Sequence, residues 1–118
     1  MNSLLIVAHG SRRRASNEEV VELAQRLQVN LQGHYAVVKA CFLEIAEPSI
    51  PEAIRSCIRQ GASVVTVLPY FLSAGRHVYE DIPNEVQIVR NEFPMLRIEI
   101  TPHIGSSPEM LGLIRSMV

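Results

Sequence analysis

Ser3-Leu4-Leu5-Ile6-Val7-Ala8-His9-Gly10-Ser11-Arg12 decides how the chain is read. Five apolar residues run without interruption and then stop at a histidine, a glycine and a basic cluster. An unbroken aliphatic run of this length suits a strand covered on both faces. Its polar end then falls in a loop. Three further runs follow at regular intervals: Ala36 to Phe42, broken only by Lys39; Ala62 to Leu68, rich in valine; and Leu96 to Thr101. The last alternates, with Leu96, Ile98 and Ile100 on one face and Arg97 and Glu99 on the other, which predicts an edge strand.

Helical stripes lie between the runs. Val20, Ala24, Leu27 and Leu31 share a face, with Ser16-x-x-Glu19 as a capping box before them and Gly33 closing them. Ile50, Ala53, Ile54, Cys57 and Ile58 form the second stripe, opened by Ser49-x-x-Glu52 and ended by Gly61. Val78, Ile82, Val86, Val89 and Phe93 form the third, with Pro83 tolerable only in its first turns. Met110, Ile114, Met117 and Val118 form the fourth, with Ser107 as cap and Pro108 at the first helical position. Strict alternation of strands and helices predicts a three-layer α/β domain over residues 1–118: a four-stranded parallel sheet with right-handed crossovers and helices on both faces.

Composition narrows the function. One domain fits 118 residues. With three Phe, three Tyr and no Trp, the core must be aliphatic. A formal net charge of −1 gives no field for nucleic acid, although Arg12, Arg13 and Arg14 form a local basic cluster. No run is long enough to span a membrane, and the first run is too short for a signal peptide. Cys41 and Cys57 sit in apolar runs and read as buried free thiols, which suits a reducing, cytoplasmic setting.

Ligands of an open parallel sheet bind outside the carboxyl ends of its strands. That rule selects four loops: His9 to Arg12, Leu43 to Pro48, Pro69 to His77 and Pro102 to Ser107. Three of the four histidines, His9, His77 and His103, fall in them. His34 belongs to the opposite end and reads as surface. Histidines and carboxylates gathered on one edge suit a divalent transition metal, and the same groups accept protons near neutral pH. Glu44 follows an apolar strand directly. Glu47 precedes Pro48 near a helix start, where favouring the helix dipole is explanation enough. The arginines serve either as a solvated charge run or as grips for an acidic ligand, with Arg12 nearest the strand end. Tyr70 and Phe71 belong either to the core or to an apolar wall for a flat ligand. Dinucleotide-binding, P-loop, zincin and C-x-x-C motifs are absent, so those chemistries have no support.

Ala8-His9-Gly10-Ser11-Arg12, Phe42-Leu43-Glu44-Ile45-Ala46-Glu47-Pro48-Ser49-Ile50 and Leu68-Pro69-Tyr70-Phe71-Leu72-Ser73-Ala74-Gly75-Arg76-His77-Val78, with Asp81-Ile82-Pro83, together resemble the sirohydrochlorin chelatases of the CbiX type. The likeness covers nearly the whole chain, in the right order. It implies a chelatase-like lobe and a class II chelatase that inserts Co²⁺ or Fe²⁺, with Ni²⁺ a further candidate, into a sirohydrochlorin-like tetrapyrrole without a nucleotide. The products would serve cobalamin or sirohaem synthesis. It implies His9, Glu44 and His77 as catalytic and metal-handling residues. It also implies that a one-lobed chain pairs as a homodimer to complete the cleft. Arg12, Arg76, Ser11, Tyr70, Phe71 and Leu72 are the expected tetrapyrrole contacts. His103 departs from the family pattern, and stands either as an added ligand or as a local variant.

Two other readings compete. A metal or tetrapyrrole carrier would keep the fold without turnover. A histidine phosphatase-like hydrolase would use His9-Gly10 with the arginines and Asn17, but Ala8 stands where that chemistry needs an arginine.

Overall fold

The computed structural model describes residues 1–73 and 75–118; the side chain of His77 lies outside the described residues. Strands β1 (Asn2–Ala8), β2 (Val37–Phe42), β3 (Val64–Pro69) and β4 (Arg97–Ile100) form one parallel sheet in the order β2-β1-β3-β4. Registers run from Ser3 opposite Val37 to Ala8 opposite Phe42, and from Asn2 opposite Val64 to Val7 opposite Pro69. β4 pairs only with β3 and is an edge, as its alternation predicts. β2, whose nearly unbroken run suggests cover on both faces, is the other edge. Lys39, the polar break in that run, is exposed there.

Helix α1 (Arg14–Asn30) covers one face, where Val20 and Ala24 pack with Leu4, Ile6, Val38, Ala40 and Phe42. Helices α2 (Ile50–Arg59) and α3 (Ile82–Glu92) cover the other. Ile50, Ile54, Ile82, Val86 and Val89 pack there on Leu5, Val7, Val65 and Val67, all 0–1% exposed. Each such side chain contributes about 1.5–3 kcal/mol by leaving water. Both cysteines are in this second layer, buried and free, as expected. Burial pushes both thiols above the ordinary range. Among the described residues no helix is long and apolar enough to cross a membrane.

Helix starts differ from expectation in three places. α2 begins where predicted: Ser49 caps it by accepting from the Glu52 amide at 3.3 Å. α1 begins at Arg14, two residues before Ser16, and its cap residue Arg13 makes no side-chain cap bond. The reason is local, because Ser11 Oγ accepts from the Arg13 amide at 3.0 Å and starts the turn early. The third stripe is split: Val78 lies in a turn of π-helix (His77–Asp81), and α3 proper starts at Ile82 with Pro83 in its first turn. Such wide turns occur often at functional sites. Ser107 Oγ accepts from the Glu109 amide at 3.2 Å, but the last helix, α4 (Met110–Met117), starts only at Met110.

No residue of α4 is buried. Leu111, Leu113, Ile114 and Met117 are 53–79% exposed. Of the expected stripe, Ile114 and Met117 face out of the described chain, Met110 is half-buried, and Val118 lies beyond the end of the helix.

The path of the chain sets the position of the site. From β1 it moves outward to β2, then crosses back to β3 on the far side of β1. The loops after β1 and β3 therefore leave towards opposite faces, opening a crevice at the carboxyl ends of these neighbours.

Candidate functional site

His9 is the first residue beyond β1, and Glu44 lies two residues beyond β2. Their meeting follows from the parallel ladder, which does not stop where the strands do. The Leu43 amide donates to the Ala8 carbonyl at 2.9 Å and the Glu44 amide to the His9 carbonyl at 3.1 Å. The two loops are zipped side by side, and His9 Nε2 stands 2.9 Å from Glu44 Oε1. Both side chains remain about half exposed, at 44% and 53%, so the pair is open to solvent rather than turned into the core.

Gly10 makes this approach possible. Its φ is +98°, and a Cβ built there would lie 1.8 Å from the Glu44 carbonyl oxygen. Glycine therefore meets two separate demands, a left-handed turn and a backbone-to-backbone contact. Beyond Glu44, Ile45 has φ +71°, a rare conformation for a β-branched residue. The Phe42 amide donating to the Pro48 carbonyl at 2.9 Å closes the loop that carries it.

The rest of the His9 loop is tied to α1. Asn17 Oδ1 accepts from the Ser11 amide at 2.9 Å, and Asn17 Nδ2 donates to the Ser11 carbonyl at 2.8 Å. Sequence reasoning weighed Asn17 only as part of the discarded hydrolase pattern. An amide side chain in the first turn of a helix after a tight loop was the signal available.

The loop after β3 adds the second wall. The Tyr70 amide donates to the Val7 carbonyl at 2.7 Å, which fixes its start beside β1. Tyr70 is exposed and borders a hollow of about 370 Å³ with Glu19, Leu23 and Arg26 of α1. Phe71 packs on the α2–α3 core, and Leu72 is exposed. Arg12 is exposed. Arg76 is exposed too and stands 3.7 Å from Glu80. His77 opens the π-turn. Its assignment as a metal-handling residue falls on a side chain outside the described residues.

His103 is not brought to the pair. It follows β4, and β3 stands between β4 and the strand that carries His9. His103 is half-buried and lines a separate hollow of about 400 Å³ with Pro69, Val78, Tyr79 and Thr101. That loop is itself packed tightly: a Cβ on Gly105 would lie 1.8 Å from the Leu72 carbonyl oxygen. His34, read as surface, is exposed at the other end of the sheet. Among the described residues no three His, Cys, Asp or Glu side chains converge as a metal site.

An imidazole nitrogen and a carboxylate oxygen 2.9 Å apart can share a proton. The same spacing suits a metal: two ligands bound at about 2.1 Å on adjacent positions of one ion stand about 3 Å apart. The pair can therefore hold a proton, or a divalent ion once the imidazole and carboxylate turn their lone pairs off the line between them.

Comparison with known proteins decides the family. The CbiX family profile matches residues 3–118. The chain belongs to the CbiX family. It is 35% identical over 117 residues to the chloroplastic sirohydrochlorin ferrochelatase of Arabidopsis thaliana, covering 99% of this chain and 51% of that one. It is 32% identical over 115 residues to the sirohydrochlorin cobaltochelatase of Sulfolobus acidocaldarius, covering 98% and 88%. The crystal structure of the sirohydrochlorin chelatase SirB from Bacillus subtilis subspecies spizizenii in complex with cobalt superposes with a TM-score of 0.87 at 28% identity, covering 98% of this chain and 48% of that one. The CbiX chain described above thus spans about half the length of some relatives and nearly all of another.

Proposed function

We propose that this CbiX-family chain inserts Co²⁺ or Fe²⁺ into sirohydrochlorin without nucleotide hydrolysis, in cobalamin or sirohaem synthesis in the cytoplasm. The observation that carries the reading is the His9–Glu44 pair, 2.9 Å apart and half exposed at the carboxyl edge of the sheet. Insertion requires loss of two pyrrole protons, and the pair offers two acceptors beside the position an ion would take. Neutral imidazole with one carboxylate binds such an ion without the retention a thiolate would impose. His77, carried on the loop after β3, is the third member of the set. Ser11, Tyr70, Phe71 and Leu72 border the macrocycle, and Arg12 and Arg76 meet its carboxylates with charge-assisted hydrogen bonds. His103 serves its own hollow rather than the ion. Ni²⁺ is a further substrate to be tested.

The chain works as one domain, and two copies complete the cleft. The exposed apolar side of α4 supports this, because so short a helix is marginal unless its apolar side is covered. α4 also leaves from the loop at the same edge as His9. Relatives of both one and two chain-lengths fit a unit that operates in pairs.

The test is optical. Protein, sirohydrochlorin and Co²⁺, Fe²⁺ or Ni²⁺ are mixed anaerobically, and the spectral change is compared with the uncatalysed rate. The expected result is acceleration with at least Co²⁺ or Fe²⁺. Tight binding of metal and tetrapyrrole with no acceleration by any of the three ions would make the chain a carrier and overturn the proposal.

A further inference from the structure

The Asn17 side chain makes two hydrogen bonds, and both end on the loop that carries His9. They close on a single residue, Ser11, one on its amide and one on its carbonyl. A carboxamide that spans the amide and the carbonyl of one residue ties down the two peptide units on either side of it, 10–11 and 11–12. Asn17 is itself held firmly, because it lies in the first turns of α1, and Val20 and Ala24 bury that helix against β1 and β2. On the other side of the loop, Gly10 presses on the Glu44 carbonyl, and the Glu44 amide bonds the His9 carbonyl. Residues 9–11 are therefore clamped between α1 on one side and the β2 loop on the other. His9 is half exposed, so packing alone does not fix its ring.

We infer that Asn17 is a positioning residue of the metal-handling site: its carboxamide, closed on Ser11, holds the His9 imidazole at the distance from Glu44 at which both can bind one divalent ion. The inference rests on the chelatase reading for its kinetic arm only. Supporting groups of this kind act on ligand geometry, and their loss commonly costs about 10–100-fold in metal affinity or activity. Ser11 is only half-buried, so water reaches the backbone groups that Asn17 would leave, and the fold does not depend on them.

The experiment compares wild type, Asn17→Ala and Asn17→Asp in the full chain. Co²⁺ alone is titrated by calorimetry, thermal unfolding is recorded, and kcat and KM are measured with sirohydrochlorin. Asn17→Ala is expected to unfold near the wild-type temperature, to bind Co²⁺ about 10-fold more weakly, and to lose about 10–100-fold in kcat. Its KM for sirohydrochlorin should change less than kcat does, since the proposed contacts on the loop after β3 are untouched and only Ser11 and Arg12 share the loop that Asn17 holds. Asn17→Asp keeps the acceptor for the Ser11 amide but sets a carboxylate oxygen against the Ser11 carbonyl. It should fall between the other two in Co²⁺ affinity. Wild-type Co²⁺ affinity in Asn17→Ala would overturn the inference. So would losses in both variants that merely follow a collapse in unfolding temperature, with Asp no better than Ala. Failure of the chelatase reading has a different signature: no turnover by wild type. In that event the Co²⁺ titrations still decide the role of Asn17, and a wild type that does not bind Co²⁺ overturns both.

Discussion

At the scale of single residues, the site is an arrangement of backbone before it is one of side chains. His9 meets Glu44 because amides and carbonyls of two loops continue a strand ladder, and Gly10 lets them touch. Gly10→Ala should therefore lower stability by about 2–4 kcal/mol, combining a left-handed backbone with a clash against the Glu44 carbonyl. Denaturant melts of the variant would show it. His9→Ala should cut chelation at least about 100-fold while leaving the unfolding temperature almost unchanged, since a half-exposed ring contributes little to the core. Equal rates for variant and wild type would remove His9 from the reaction. The two thiols give a third expectation. Burial pushes both pKa values up, so neither Cys41 nor Cys57 should react with iodoacetamide in the native protein, and both should react in denaturant. The histidine and glutamate were legible in the sequence as residues of strand-end loops. Their contact was not, because strand order is absent from periodicity. Only the adjacency of β1 and β2 brings them together.

At the scale of elements, agreement and disagreement both have physical causes. α2 was legible to the residue because its cap, apolar stripe and terminating Gly61 coincide. α1 starts three residues before the capping box predicts, with Arg13 rather than Ser16 at the cap position, because a side chain preceding the helix, that of Ser11, begins the turn. The third helix was read as continuous because Val78 is in phase with its stripe. A π-turn of five residues keeps that phase roughly while changing the backbone. Ion pairing between elements gives a pH-dependent prediction. Arg55 of α2 reaches Glu92 at the end of α3 with Nη2 to Oε2 at 2.6 Å and Nε to Oε1 at 3.0 Å. The two bonds form a fork that holds the Glu92 carboxyl below its ordinary range. A lowered folded-state pKa contributes stability above the unfolded-state pKa, and that contribution fades as pH falls through the folded value. Melting temperatures of wild type and Glu92→Gln should therefore differ at pH 7 and converge in acid. A gap that persists in acid would assign the effect to packing.

At the scale of the molecule, the layer order and the edge position of β4 were legible, because alternation of elements and a polar strand face report burial directly. The state of α4 was not. Its apolar stripe looks the same in a sequence whether it covers its own sheet or another surface. The described chain leaves that stripe open, so light scattering should give a mass of two chains. Leu113→Asp with Ile114→Asp should shift it to one chain and lower chelation with it, while the far-ultraviolet dichroism stays close to wild type. A monomeric wild type with full activity would end the paired-cleft proposal.

The glycines carry a consequence for how this sequence can vary. A Cβ at Gly10 or Gly105 would meet another loop's carbonyl at 1.8 Å, whereas one at Gly75 or Gly112 would meet nothing within 4 Å. In a library randomised at all four codons and selected for function, the first two positions should come back monomorphic and the last two diverse. Two of the loops at the carboxyl edge thus depend on residues with no side chain at all. Their invariance would look catalytic in such a survey, although it records only the room one main chain leaves for another.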